Sequence, residues 1–145
     1  MCSSDLSGTH AGDGVYSRAA TLTLQSTIIA DNSGQVGPND LGGLAVVTGS
    51  NNLVVESTLM LPMNTVRDCP KLDVLANNGS GTLTHALKPT SPAIDQGAAA
   101  TSLTIDQRVA PRVTGPQADI GAIESRPSDK LERILASGFD GLCDQ

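Results

Sequence analysis

The chain has 145 residues and a formal net charge of −6, with one Tyr, one Phe and no Trp. That length supports one domain with one sizeable core, which must be built from Leu, Ile, Val and Ala. Acidity without a basic stripe or stacking rings excludes a nucleic-acid partner. No apolar run reaches the length of a membrane span.

The chain opens on "MCSSDL". This is what the end of a common sequencing adapter encodes when read from a GTG start, so residues 1–6 are expected to be non-native. A signal peptide needs a basic region followed by an apolar one. Neither is present here, and the signal peptide is expected in an upstream part.

Residues 20–34, "ATLTLQSTIIADNSG", alternate with period two, which reads as strand. Leu22, Leu24, Ser26, Ile28, Ala30 and Asn32 fall on one face; Thr23, Gln25, Thr27, Ile29 and Asp31 fall on the other. A shift of about 25 residues, within the usual range of solenoid repeats, sets Ile28 over Leu53 and Ile29 over Val54. Ala30 then lies over Val55 and Asp31 over Glu56. Between these segments "GQVGPNDLGG" is loop-like and "LAVVTGS" is another short strand. Short strands, Gly/Asn corners and a loose repeat predict a solenoid of stacked coils, with a β-sandwich as runner-up.

Further along, "NNGSG" is a turn before an alternating strand, "TLTHAL". His85 shares a face with Leu83 and Leu87, and reads as a hydrogen-bonded histidine at a core edge rather than a catalytic base. In "SPAIDQG", Pro92 fixes φ and biases Ser91 toward extended backbone. Asp95 is suited to accept backbone N–H bonds in the following turn, and Gly97 to adopt positive φ. Asp106, Arg108 and Arg112, followed by Asp119, Gly121 and Glu124 in "ADIGAIE", offer guanidinium groups to clamp carboxylates in a non-repetitive loop. At the end, Asp129 and Glu132 have capping-box spacing, Leu131, Ile134 and Leu135 form an apolar stripe, and Gly138 stands at a C-terminal cap. A short amphipathic helix is expected there.

"LTLQSTIIADNSG", "SNNLV", "PKLDVLANNGSGTLTHALKPTSPAIDQG", "DQRVAPR" and "ADIGAIE" occur in this order. In them the chain resembles bacterial right-handed parallel β-helix proteins, and more narrowly the C-terminal end of the choice-of-anchor Q group, over about residues 20–125. The resemblance implies an all-β, right-handed parallel β-helix: coils over 7–87, a C-terminal cap over 88–125 and a helical tail over 126–145. The ending "ERILASGFDGLCDQ" also looks like short hydrophobic-Gly-Phe-acid endings of some exported bacterial proteins. The chain departs from the group at Val109, where glycine is common, at Val113 for proline, at Ile123 for an aromatic and at Leu41 for a cysteine.

Cys2, Cys69 and Cys143 form no CxxC pair and have no neighbouring histidines, so zinc is not expected. A Cys69–Cys143 disulfide is compatible with the count. The departure at Leu41 equally leaves Cys69 free or paired elsewhere. Stacked coils would hold Asp31 and Glu56 about 4.8 Å apart, near the separation used by glycosidases, but solvated side chains are the preferred reading. Asp31, Asn32, Asn39 and Asp40 would suit Ca2+, though turn chemistry explains them better. No other cofactor is expected. The resulting expectation is a structural end-cap of a secreted or cell-surface scaffold, partnered by upstream coils, with Ser91, Pro92, Asp95, Gly97 and the clamp residues as its fastening and with no catalytic site of its own. A polysaccharide lyase or glycoside hydrolase with its site upstream is the alternative, as is an adhesin whose loops meet surface polysaccharide.

Overall fold

The computed structural model describes residues 14–34, 37–79, 81–98, 103–126 and 129. A first pass of the chain carries β1 (Val15–Ser17), β2 (Thr21–Gln25) and β3 (Ile28–Ile29). The hairpin of β4 (Ser33–Gly34) and β5 (Gly37–Pro38) follows. A second pass carries β6 (Leu41–Gly43), β7 (Val46–Ser50) and β8 (Leu53–Val54). β6 lies parallel to β1, β7 to β2 and β8 to β3. The described residues are of the all-β class, with almost no helix.

The register follows the repeat read from the sequence. Thr21 is opposite Val46, Ile28 opposite Leu53 and Ile29 opposite Val54, so equivalent side chains stand 25 residues apart. Thr23 Oγ1 lies 3.0 Å from Thr48 Oγ1, and Gln25 Nε2 donates to Ser50 Oγ at 3.1 Å. Asn52 is buried and fastens both passes. Its Oδ1 accepts the Thr27 amide at 3.0 Å, and its Nδ2 donates to the Leu24 carbonyl at 3.0 Å.

One strand was expected over residues 20–34, but it breaks at Ser26. Ser26 has φ 48 and Asn51, its equivalent on the second pass, has φ 55. A left-handed residue at both corners turns the chain and resets the alternation. Leu22 and Leu24 therefore pack with Ile29, Leu41, Val47 and Val54 in an inner cluster, joined by Leu59 and Leu61. Ile28 and Ala30 point the other way, into a second cluster with Leu53, Leu87, Ala93 and Ile120.

That second cluster sets Leu87, Ala93 and Ile120, which follow the two passes in the chain, against Ile28 and Leu53 on the outer face of β3 and β8. Gly121 N and Ala98 N donate to Ser26, and Asn51 Nδ2 donates to the Gln96 carbonyl. This later stretch thus grips the same corner on both passes. Leu59 and Leu61, from the stretch after β8, are the residues that pack on the inner cluster from the second pass onward.

Two further hairpin contacts support this arrangement. Leu72 bridges Leu87, and Ala76 bridges Thr84, both antiparallel. Within "TLTHAL", Thr84 and Leu87 are buried while Leu83 is exposed, so His85 does not share a continuous apolar face with both leucines. The Thr84 hydroxyl turns inward because Asn78 Nδ2 donates to it at 3.0 Å. His85 is half-buried, with Nδ1 2.7 Å from the Asp73 carbonyl, which agrees with a hydrogen-bonded histidine at a core edge.

Replacing Asn52 by Ala leaves the Thr27 amide and the Leu24 carbonyl without their partner. The expected loss is about 2–3 kcal/mol, read from the urea midpoint. Thr23→Ala, on the exposed ladder, is expected to cost about 0.5 kcal/mol or less. Equal effects of the two substitutions would contradict the fastening role of Asn52.

Candidate functional site

The densest polar structure among the described residues is a cluster of buried charges in the segment 106–126. "DQRVAPR" forms a tight hairpin in which Asp106 N donates to the Ala110 carbonyl at 2.7 Å and Arg112 N to the Thr104 carbonyl at 3.0 Å. Alternation then turns Asp106, Arg108 and Arg112 toward "ADIGAIE", and all three are buried.

Asp106 Oδ1 accepts the amides of Arg108 at 2.8 Å and Ala110 at 3.1 Å. Its Oδ2 accepts Arg108 Nε at 3.0 Å and the Glu124 amide at 3.1 Å, with Arg126 Nη2 at 3.7 Å. Arg108 also donates Nη2 to the Glu124 carbonyl and Nη1 to Asp129 Oδ2. Arg112 Nη1 meets Glu124 Oε2 at 2.9 Å, while Nη2 serves the carbonyls of Asp119 and Gly121. The guanidinium groups therefore divide between carboxylates and main-chain oxygens.

Glu124 Oε1 accepts the Thr114 amide and Oε2 the Asp119 amide. Asp119 Oδ1 accepts the Asp95 amide at 2.8 Å, and Oδ2 the Ser125 amide at 2.6 Å. Asp119, not Asp95, is thus the acceptor that closes the "SPAIDQG" turn; Asp95 itself takes φ 55. Gly97 does not adopt positive φ. Its place is set by close approach, since a Cβ there would stand 2.5 Å from the Asp119 carbonyl oxygen. Ser91 Oγ donates to the Pro70 carbonyl and accepts the Ala93 amide, and Pro92 beside it is half-buried. Asp95, Asp106, Arg108, Arg112, Asp119, Gly121 and Glu124 are joined in one hydrogen-bonded network, whereas the Ser91 side chain bonds to Pro70 and Ala93.

Burial acts first on both central carboxyls, with opposite outcomes. For Asp106, burial raises the pKa, but the amides of Glu124, Ala110 and Arg108 and the Arg108 guanidinium outweigh it and hold the group below its ordinary range. For Glu124, burial together with the neighbouring Asp119 charge prevails over the Asp119 and Thr114 amides and over Arg112, and the pKa is raised. A general base needs a lone pair directed at a substrate. The oxygens of Asp106, Asp119 and Glu124 are directed at the chain's own amides and guanidinium groups.

The Asp31–Glu56 pair is not assembled by the strands: the β3–β8 register ends at Ile29 and Val54. Asp31 sits at φ 60. Burial, and then the charge of Asp40, raise its pKa. Asp40 is a residue whose role the sequence did not reveal. It is buried, its Oδ1 accepts Asn32 N and Nδ2, and its Oδ2 accepts the Glu56 amide on the next pass. Among the described residues no group of three or more His, Cys, Asp or Glu is arranged to hold a metal. Cys69 is disulfide-bonded; Cys2 and Cys143 lie outside the described residues, as do residues 1–6 and the helix expected after Asp129.

A cleft of about 490 Å³ opens where the Ser26 corner meets the clamp, lined by Gln25, Thr27, Ile105, Gln107 and Ala122 among others. It has no aromatic platform for a sugar ring. Comparison of the chain with protein-family models, with curated proteins and with solved structures gives no match in any of the three.

Three outcomes test the clamp. Arg112→Met strands the buried Glu124 carboxylate and is expected to cost about 3–5 kcal/mol by chemical denaturation. Val109 holds φ 62, a region that penalises a β-branched residue by about 1–2 kcal/mol. Val109→Gly is therefore expected to raise the melting temperature, despite the entropy glycine adds to the unfolded chain.

The third outcome concerns pH. Asp106 contributes stability present above its unfolded pKa of about 4 and lost as pH falls through its lower folded value. Glu124 behaves oppositely: its contribution is full below about pH 4.3 and is lost as pH rises through its raised folded value. The melting-temperature advantage of the wild type over Glu124→Gln is thus expected to shrink between pH 4 and 7. An advantage that grows over this interval would mean the Arg112 contact outweighs burial.

Proposed function

We propose that the chain is the C-terminal end of a right-handed parallel β-helix belonging to an exported or cell-surface protein, and that its role is structural. The observation that carries this reading is the parallel register of β2 on β7 and β3 on β8 at one fixed offset, with equivalent left-handed corners at Ser26 and Asn51. A solenoid repeats both strand and corner from pass to pass, and the matching strands and corners of these two passes support that reading. The order of motifs that resembles the choice-of-anchor Q group agrees with it. The saturated hydrogen bonding of Asp106, Asp119 and Glu124 favours a fastening over a reaction centre.

In this reading the partner is a further coil lying on β2. The Val46 amide donates to the Ala20 carbonyl and the Ser26 amide to the Ser50 carbonyl. Even-numbered residues of β2 therefore turn their backbone groups to β7, and Thr21, Thr23 and Gln25 turn theirs to the opposite edge. Among the described residues no strand pairs with that edge, and an edge of this kind recruits other strands.

The isolated chain is expected to self-associate with rising concentration in analytical ultracentrifugation. Thr23→Pro, which removes an outward amide, is expected to suppress that association. A wild-type chain that stays a monodisperse monomer and melts cooperatively at high temperature would contradict the reading.

A further inference from the structure

The hairpin that joins Leu72 to Leu87 carries the chain's one Asn-Gly step, Asn78-Gly79. Gly79 is exposed at φ 93, and a Cβ on it would meet nothing within 4 Å. The main chain there is open to water. Asn-Gly is the step most prone to lose its side-chain amide, because glycine leaves the following nitrogen free to approach Asn Cγ.

The fold holds both reacting atoms apart. Asn78 Nδ2 turns back into the hairpin, donating to the Thr84 carbonyl at 2.7 Å and to Thr84 Oγ1 at 3.0 Å, and lies 3.4 Å from the Ala76 carbonyl. Thr84 is buried, so these bonds are anchored in the interior. The Gly79 amide donates instead to Asn77 Oδ1 at 3.1 Å, an Asx turn.

We propose that Asn78 is a self-modification site, held in check by the closed hairpin, whose deamidation releases residues 72–87 irreversibly. The step balances with water as its one co-reactant. The Gly79 nitrogen loses its proton and bonds to Asn78 Cγ; the Cγ–Nδ2 bond breaks, and Nδ2 leaves with that proton as ammonia. Water then opens the cyclic imide at either carbonyl, giving an aspartyl or isoaspartyl residue and a new negative charge.

The product no longer fits its site, because a carboxylate only accepts. The Thr84 hydroxyl can turn its proton toward it. The Thr84 carbonyl cannot, and meets an oxygen where it had a donor at 2.7 Å. That carbonyl also accepts the Ala76 amide, and the Ala76 carbonyl accepts the Thr84 amide. Repulsion therefore falls on the pair of bonds that closes the hairpin. The site does not depend on the solenoid reading.

Peptide mapping by mass spectrometry, with aspartyl and isoaspartyl products at residue 78 separated, tests the check on the full chain at mildly alkaline pH. Wild-type deamidation is expected to be at least about tenfold slower in buffer than in urea, since each hydrogen bond to be broken slows it roughly fivefold. Asn77→Ala, at an exposed position, frees the Gly79 amide and is expected to speed the reaction in buffer roughly fivefold, with the urea rate unchanged. Thr84→Val is expected to act in the same direction; should it lose the fold, Asn77→Ala alone decides. Equal wild-type rates in buffer and urea, or an Asn77→Ala chain no faster than wild type in buffer, would overturn the proposal.

Hydrogen exchange of the purified deamidated chain reads the release. The Ala76 and Thr84 amides are expected to exchange several-fold faster than in the unmodified chain, while the Thr27 amide, bonded to Asn52, keeps its rate. Unchanged exchange at Ala76 and Thr84 would overturn the release, as would equal acceleration at Thr27, which would mark unfolding of the whole domain.

Discussion

Everything described depends on one constraint: two passes of the chain must share backbone hydrogen bonds in parallel, with β2–β7 and β3–β8 held at the same offset and β1–β6 one residue longer. The strands are two to five residues long, too short to hold their place by length. Register is instead fixed from both sides of the backbone. The inner cluster demands that Ile29 meet Val54 and that Leu22 lie near Val47. The buried Asn52 amide, bonded to Thr27 and Leu24, ties the corner of one pass to that of the other. A slip by one residue would put Leu53 inside and Val54 outside, and would part the Asn52 side chain from the Thr27 amide and the Leu24 carbonyl.

The same geometry creates the need for the second half of the molecule. Because β3 and β8 present Ile28 and Leu53 outward, the stacked passes have an apolar flank as well as an apolar interior. Leu87, Ala93 and Ile120 cover that flank. This covering stretch has few regular strands, so its backbone groups must find partners elsewhere. Asp106, Asp119 and Glu124 accept amides, and Arg108 and Arg112 donate to carbonyls. Buried ions are costly in isolation; here each serves as a hydrogen-bonding substitute for an absent strand neighbour. What the charges provide is a defined path for an irregular chain.

The repeat was legible because it is written in β-branched and aliphatic residues at fixed spacing, and Ile28/Leu53 and Ile29/Val54 match it pair by pair. The break at Ser26 was not legible, since serine carries no strong signal for left-handed backbone; Asn51, at the equivalent corner, is the residue that could have revealed it. The clamp residues could be picked out from the density of Asp, Glu and Arg near Gly and Pro. Their exact partners could not, because Asp95 and Asp119 both stand in short turn-like stretches beside an isoleucine and only the fold decides which accepts the other's amide. Asp40 was hidden for the same reason: "ND" in a loop suggests a turn or a cation, whereas its carboxylate joins Asn32 to Glu56 across two passes. Residues 88–125 were expected to close an end; the contact of Ala93 and Ile120 from that stretch with Ile28 and Leu53 was not legible, because it depends on which face of β3 points outward.

The central claim is the 25-residue parallel register, and methyl-labelled NMR reads it directly. The account predicts strong nuclear Overhauser contacts between the Ile29 and Val54 methyl groups and between the Thr23 and Thr48 methyl groups, with Ile28 in contact with Leu53 and Ile120. Contacts of Ile29 with Leu53 in place of Val54, or an antiparallel pattern between residues 21–25 and 46–50, would contradict it.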